Sequence, residues 1–185
     1  MTMIYVACYK GKSLMSRAIM WLNWSDYSHA ALITSRGTVI EAWGEGFFQG
    51  SVREVPFLWS QHKPGTDVDV FEPIDIEPWQ CAMVEAMARS QVGKPYDWRG
   101  VFRFLSRSTP SVDGAWFCSE LVAAAFAAAK FPLLNRVPQK IFPGLIPASP
   151  RLRKVTDLGK LNQYTDGSYL RSLEAKRKKR NSDNP

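Results

Sequence analysis

The pattern of apolar and polar positions divides the chain into short strands and short helices. "MIYVACY" at residues 3–9 alternates as a first strand does. "KSLMSRAIMWLNW" follows, with Leu14, Met15, Ala18, Ile19 and Leu22 at the three- and four-residue spacings of a short amphipathic helix. "SHAALITSRGTVIEAW" predicts two strands around a Ser-Arg-Gly turn, and "VDVFEPI" a further strand whose end is marked by Pro73. Pro78 fits the first turn of a helix over "EPWQCAMVEAMARSQVG", and Gly93 fits its stop. "GKPYDWRGVFRFLS" is a turn leading into an aromatic-rich helical stretch, and "CSELVAAAFAAAK" is a run of good helix formers. Pro132, Pro138, Pro143, Pro147 and Pro150 make residues 131–150 an irregular wrap, ending in a short strand near "RLRKVTD". Strands early and a long helix late predict an α+β fold.

The turn chemistry of the central hairpin fixes which residues share a face. A three-residue loop with glycine last uses glycine's left-handed conformation. With Ser35-Arg36-Gly37 as that loop, Thr34 faces Thr38, Ala31 faces Glu41 and His29 faces Trp43. His29 and Glu41 are then diagonal neighbours on one side of the hairpin, roughly 7–8 Å apart at the backbone. A two-residue turn would put them on opposite sides.

Composition narrows the class. The 185 residues suffice for one domain with a tail, and 45% hydrophobic and 12% aromatic residues argue for a packed core. The three cysteines, Cys8, Cys81 and Cys118, have no metal-type spacing and suit a reducing compartment better than a disulfide framework. No metal or cofactor is implied. No apolar run approaches the length of a membrane span, and the N-terminus lacks the features of a secretory signal. The expectation is a protein cytoplasmic as synthesised, reaching any outer compartment through a phage system or another export route. The net charge of +7 is uneven, since residues 171–185 contain Arg171, Lys176, Arg177, Lys178, Lys179 and Arg180 against Glu174 and Asp183. That tail reads as a solvated end or as a contact for an anionic surface. No aromatic residue is interleaved among its charges, so base stacking has no support there.

Cys118 is the residue with chemical interest. At a helix start, unpaired backbone N–H groups and the helix dipole favour a thiolate and can hold an oxyanion. Packing behind the helix start is the alternative, because free cysteine is among the most buried residue types. Cys8 on a strand and Cys81 inside a helix lack that setting. A thiol nucleophile needs a base, and the chain has two histidines. His62, in "WSQHKPGT", reads as a solvated loop residue. His29 opens a strand, with Glu41 on its side of the hairpin, and a carboxylate that orients an imidazole is the logic of a catalytic triad. Glu41 sits between Ile40 and Ala42, where an unpaired carboxylate would be costly.

"SHAALI", "TVIEAW", the "PYD" turn, "FCSELV" and the Pro-rich stretch ending "IPASPRL" occur in an order that resembles the circularly permuted NlpC-type papain-like hydrolases, the YiiX/YaeF-like group. In that group the histidine strand precedes the cysteine helix. The resemblance covers roughly residues 3–156 and departs from the group at "ACYKGK", which stands in place of a Gly-Asp pair. It implies an α+β fold with an antiparallel sheet or small barrel packed against the cysteine helix. It also implies a catalytic domain over 1–160; residues 161–185, which have no counterpart in that group, read from their charge as a basic flexible tail. Cys118 would be the nucleophile, His29 the general base and acid, and Glu41 the residue orienting His29. Tyr96 would either wall the pocket, with its hydroxyl donating to the substrate or the oxyanion, or pack at a turn. Trp43 and Trp116 would either line the cleft or pack, and Asp97 would fix its loop. The implied reaction is hydrolysis of an amide, with peptidoglycan stem peptides or other peptides as substrate class. Two alternatives are a lipid-directed acyltransferase or esterase of the lecithin:retinol acyltransferase type, acting on acyl-lipids, and a non-catalytic binding protein on the same fold.

Overall fold

The computed structural model describes residues 4–45, 49–56, 66–103 (side chains to residue 100) and 114–155. The strands are β1 (Tyr5–Lys10), β2 (His29–Ile33), β3 (Thr38–Glu45), β4 (Gln49–Pro56), β5 (Asp67–Pro73) and β6 (Leu152–Lys154). The helices are α1 (Leu14–Leu22), α2 (Pro78–Arg89), α3 (Trp98–Arg103) and α4 (Cys118–Ala128). All six strands join one open antiparallel sheet in the order β4-β3-β2-β1-β5-β6. The fold is α+β, as the pattern predicts.

Period-two alternation sorts the strand residues onto two buried faces. Val6, Cys8, Ala30, Leu32, Ile40, Ala42, Val52 and Phe71 pack with the Ala-rich α4 and with α2 in the main core. Tyr5, Ala7, Tyr9, Ala31, Ile33, Val39 and Val70 form a second cluster on the other face. The small side chains of α4 let it lie close on the sheet; Leu121, Val122, Ala125 and Phe126 are all fully buried. Pro78 opens α2, where Glu77 and Gln80 form a capping box, and the Gln80 side chain donates to the Ala129 carbonyl at the end of α4 at 3.0 Å. After α4 the chain wraps irregularly through 3₁₀ turns at Pro138–Lys140 and Pro143–Ala148 before reaching β6.

The central hairpin has the register that its turn predicts. Leu32 pairs with Ile40 and Ile33 with Val39. Gly37 is left-handed at φ 74°, and its N–H donates to the Thr34 carbonyl. Three features depart from expectation. β4 is a full strand that no turn signal announces. α2 ends at Arg89, and Gly93 closes the turn beyond it at φ 89°. On α1 the apolar stripe faces mostly outward, and Ile19 is its buried residue. His62 and the basic tail lie outside the described residues.

Candidate active site

β2 begins at His29, directly opposite Tyr9 of β1. The entry to the strand is pinned by the Ser28 N–H, which donates to the Tyr9 carbonyl at 2.9 Å, and by the Ser28 hydroxyl, which accepts from the Gly11 N–H at 3.0 Å. Glu41 is completely buried in β3. Its Oε2 lies 2.8 Å from His29 Nε2. Its Oε1 accepts two bonds from Arg53, from Nε at 3.0 Å and from a terminal guanidinium nitrogen at 2.7 Å. Arg53 is the direct partner of Glu41 across the β3–β4 ladder, and its guanidinium also stacks 4.2 Å from the Trp43 ring centre. Trp43 in turn meets His29 edge-on at 5.6 Å. The imidazole is thus held by a carboxylate on one side and boxed by the rings of Trp43 and Tyr9.

Cys118 is the first residue of α4, and Phe117 is the cap residue that precedes it. Phe117 makes no side-chain cap hydrogen bond, so the first-turn amides beside the sulfur are not taken up by their own cap. Cys118 is 1% exposed and packs with Phe117, Ile19 of α1, Tyr96 and Trp98 in a small cluster apart from the main core. The "GKPYDW" segment is sewn between β4 and the strand-like approach to α4. The Tyr96 N–H donates to the Gly50 carbonyl at 3.0 Å, and the Asp97 N–H donates to the Trp116 carbonyl at 2.9 Å. Asp97 fixes that loop, its carboxylate accepting from the Gly100 N–H at 3.0 Å. Gly44 is needed at the end of β3, where a Cβ would lie 2.8 Å from the Trp98 ring. Trp116 donates its indole N–H to Gln91 at 3.1 Å and packs against the main core.

The electrostatics separate the groups by role. Burial alone would lower the pKa of His29. The negative charge of Cys118 and its hydrogen bond, then the hydrogen bond and charge of Glu41, overcome that and push it up to about 10. Burial raises Tyr96 well above the ordinary phenol range, with the Cys118 and Asp97 charges adding, so its hydroxyl keeps its proton as a donor. Burial, then the Cys118 charge, also pushes the Cys8 thiol far up, and burial raises Cys81, which leaves both as protonated packing thiols. Because the folded His29 holds its proton more tightly than an unfolded histidine, its stabilising contribution is full below about pH 6.5. That contribution is lost as pH rises through about 10. The stability difference between the wild type and His29→Gln, measured by urea unfolding, should therefore shrink across that window. A difference independent of pH would contradict the assignment.

Sequence reasoning brought His29 and Glu41 to one side of the hairpin, where they bond at 2.8 Å, and Cys118 acts on the same imidazole through its charge. It missed Arg53, whose one signal was a cation within "SVREV" for a buried carboxylate in need of a partner. It also missed Trp98, which donates to the Gln49 carbonyl at 2.8 Å and stacks edge-on with Tyr96 at 5.0 Å.

No protein-family model and no curated protein matches the chain. Among solved structures it is similar to the metalloprotein YiiX from Escherichia coli O157:H7, at TM-score 0.63 and 19% identity, covering 83% of this chain and 96% of that one. Among the described residues no three His, Cys, Asp or Glu side chains are grouped as ligands, and the Arg53 guanidinium occupies Oε1 of Glu41. No helix among the described residues is long and apolar enough to cross a membrane. The similarity extends over nearly all of YiiX, and the chain has the YiiX-like, papain-like α+β fold, with its histidine strand ahead of its cysteine helix.

Proposed function

We propose that the protein is a cysteine-dependent acyl-transfer enzyme that hydrolyses an amide bond, with Cys118 as nucleophile, His29 as base and acid, and Glu41 as the group orienting His29. One observation carries this reading. The imidazole at the head of β2 is bonded through Nε2 to the fully buried Glu41 at 2.8 Å, and the charge of Cys118 at the first residue of α4 is the largest influence raising its pKa. With Nε2 committed to the carboxylate, Nδ1 is the ring nitrogen left for the sulfur.

The chemistry follows. The thiol proton passes to His29, and the thiolate attacks the substrate carbonyl. The oxyanion forms beside the first-turn amides of α4, with the Tyr96 hydroxyl as a further donor. The His29 imidazolium protonates the leaving amine, then takes a proton from water as the acyl-enzyme is released. A thiolate, an imidazolium, a carboxylate and a guanidinium in sequence form a row of alternating charge that sums to zero, which limits the cost of burying it. Trp43, the wall of the His29 ring, is the aromatic surface offered to the substrate. Trp116, anchored on Gln91, supports the approach to Cys118.

The resemblance to permuted NlpC-type enzymes supports peptides and peptidoglycan stem peptides as substrates. A second reading, an ester or amide of a lipid, is favoured by the exposed apolar side of α1 next to the site. Mass spectrometry of products from peptidoglycan, peptide and ester-lipid panels, with Cys118→Ala as control, tests both. Cys118-dependent release from one panel is the expected result. No Cys118-dependent product from any of them would leave a binding protein on this fold.

A further inference from the structure

We propose that α1 is an interfacial helix that seats this protein on an anionic lipid surface, with Leu14, Trp21 and Trp24 entering the headgroup boundary. Leu14, Ala18 and Trp21 lie at i, i+4 and i+7, on one side of α1. That side faces solvent, with Leu14 85% exposed and Trp21 75%. Trp24, just past the helix cap, is 95% exposed. It also holds the left-handed conformation at φ 48°, where glycine would be the relaxed choice. A bulky ring that neither packs nor suits its backbone is spent on something outside the fold. Tryptophan at the edge of an apolar helical face is the side chain that prefers a membrane–water boundary.

Charge selects the occupant. Residues 1–25 contain Lys10, Lys12 and Arg17 and no carboxylate, the first acidic residue being Asp26. Lys12 and Arg17 are exposed beside the apolar side chains. The chain as a whole carries +7, with a net +4 in residues 171–185. A basic rim around exposed Trp and Leu complements anionic lipid headgroups, whereas an acidic protein surface offers no apolar depth for the two indoles. On the inner side of α1, Ile19 packs against Phe117 and Cys118. Seating α1 on a bilayer therefore leaves Cys118 one helix thickness, ~10 Å, behind the lipid-facing side, and the seating itself needs no thiol chemistry.

The full chain should co-sediment with phosphatidylglycerol-rich vesicles, show a blue shift of tryptophan emission, and bind pure phosphatidylcholine vesicles far more weakly. The triple variant Leu14→Ser, Trp21→Ser, Trp24→Gly should lower partitioning by about tenfold or more and remove the shift. Trp24→Gly alone should leave the melting temperature unchanged or raised, since it relaxes the left-handed residue. Cys118→Ala should bind as the wild type does, which separates docking from catalysis. Unchanged vesicle binding in the triple variant, including binding lost only when residues 171–185 are removed, would overturn the proposal. So would self-association that depends on Leu14 and Trp21 without vesicle binding, because the face would then be a contact between copies.

Discussion

His29→Gln is expected to slow alkylation of Cys118 by iodoacetamide at pH 6 by about tenfold or more, and to lower turnover on any cleaved substrate by about 10⁴-fold. An ordinary thiol, with its pKa near 8.5, is under ~1% thiolate at that pH. A thiol whose proton resides on a neighbouring imidazole reacts as thiolate instead. The gain is partly offset because a more acidic thiol is a weaker nucleophile, which is why tenfold is expected and not several hundredfold. Glutamine keeps a hydrogen-bonding group opposite Glu41 but cannot hold a mobile proton. Cys118→Ala should abolish both signals, while Cys8 and Cys81, kept protonated by their raised pKa values, should remain unlabelled until the protein unfolds. Equal labelling of wild type and His29→Gln at pH 6 would remove the imidazole from the chemistry and, with it, the acyl-transfer reading.

Most of the fold was legible because its elements announce themselves locally. The Ser35-Arg36-Gly37 turn fixed the register of β2 on β3, and that register alone places His29 and Glu41 on one side. Pro78 and the capping box marked the start of α2, and helix formers after Phe117 marked α4. β4 was not legible because its neighbours carry the information. "QGSVREVP" has weak alternation, and its strand identity comes from pairing along the whole of β3, from Thr38 opposite Pro56 to Glu45 opposite Gln49. Missing β4 meant missing Arg53. The outward stripe on α1 shows the other limit of pattern reading. Three- and four-residue spacing predicts an apolar side but not which surface receives it, and here only Ile19 turns toward the protein core.

Arg53→Met is expected to cost about 3–5 kcal/mol of unfolding free energy, the loss that follows when one partner of a buried ion pair is removed. Glu41 is fully buried and Arg53 largely so, and the methionine would fill similar space beside Trp43 without supplying charge. Oε1 of Glu41 would then lose both of its guanidinium bonds. Adding Glu41→Gln to Arg53→Met should recover part of the loss, because the amide has no charge to strand, whereas turnover should stay low without the carboxylate on His29 Nε2. A loss below about 1 kcal/mol, the range of an exposed pair, would mean that water replaces the guanidinium and that Arg53 does not hold Glu41 in place. With the expected loss and the partial recovery, the histidine's orientation depends on a strand that neither the histidine nor the cysteine belongs to.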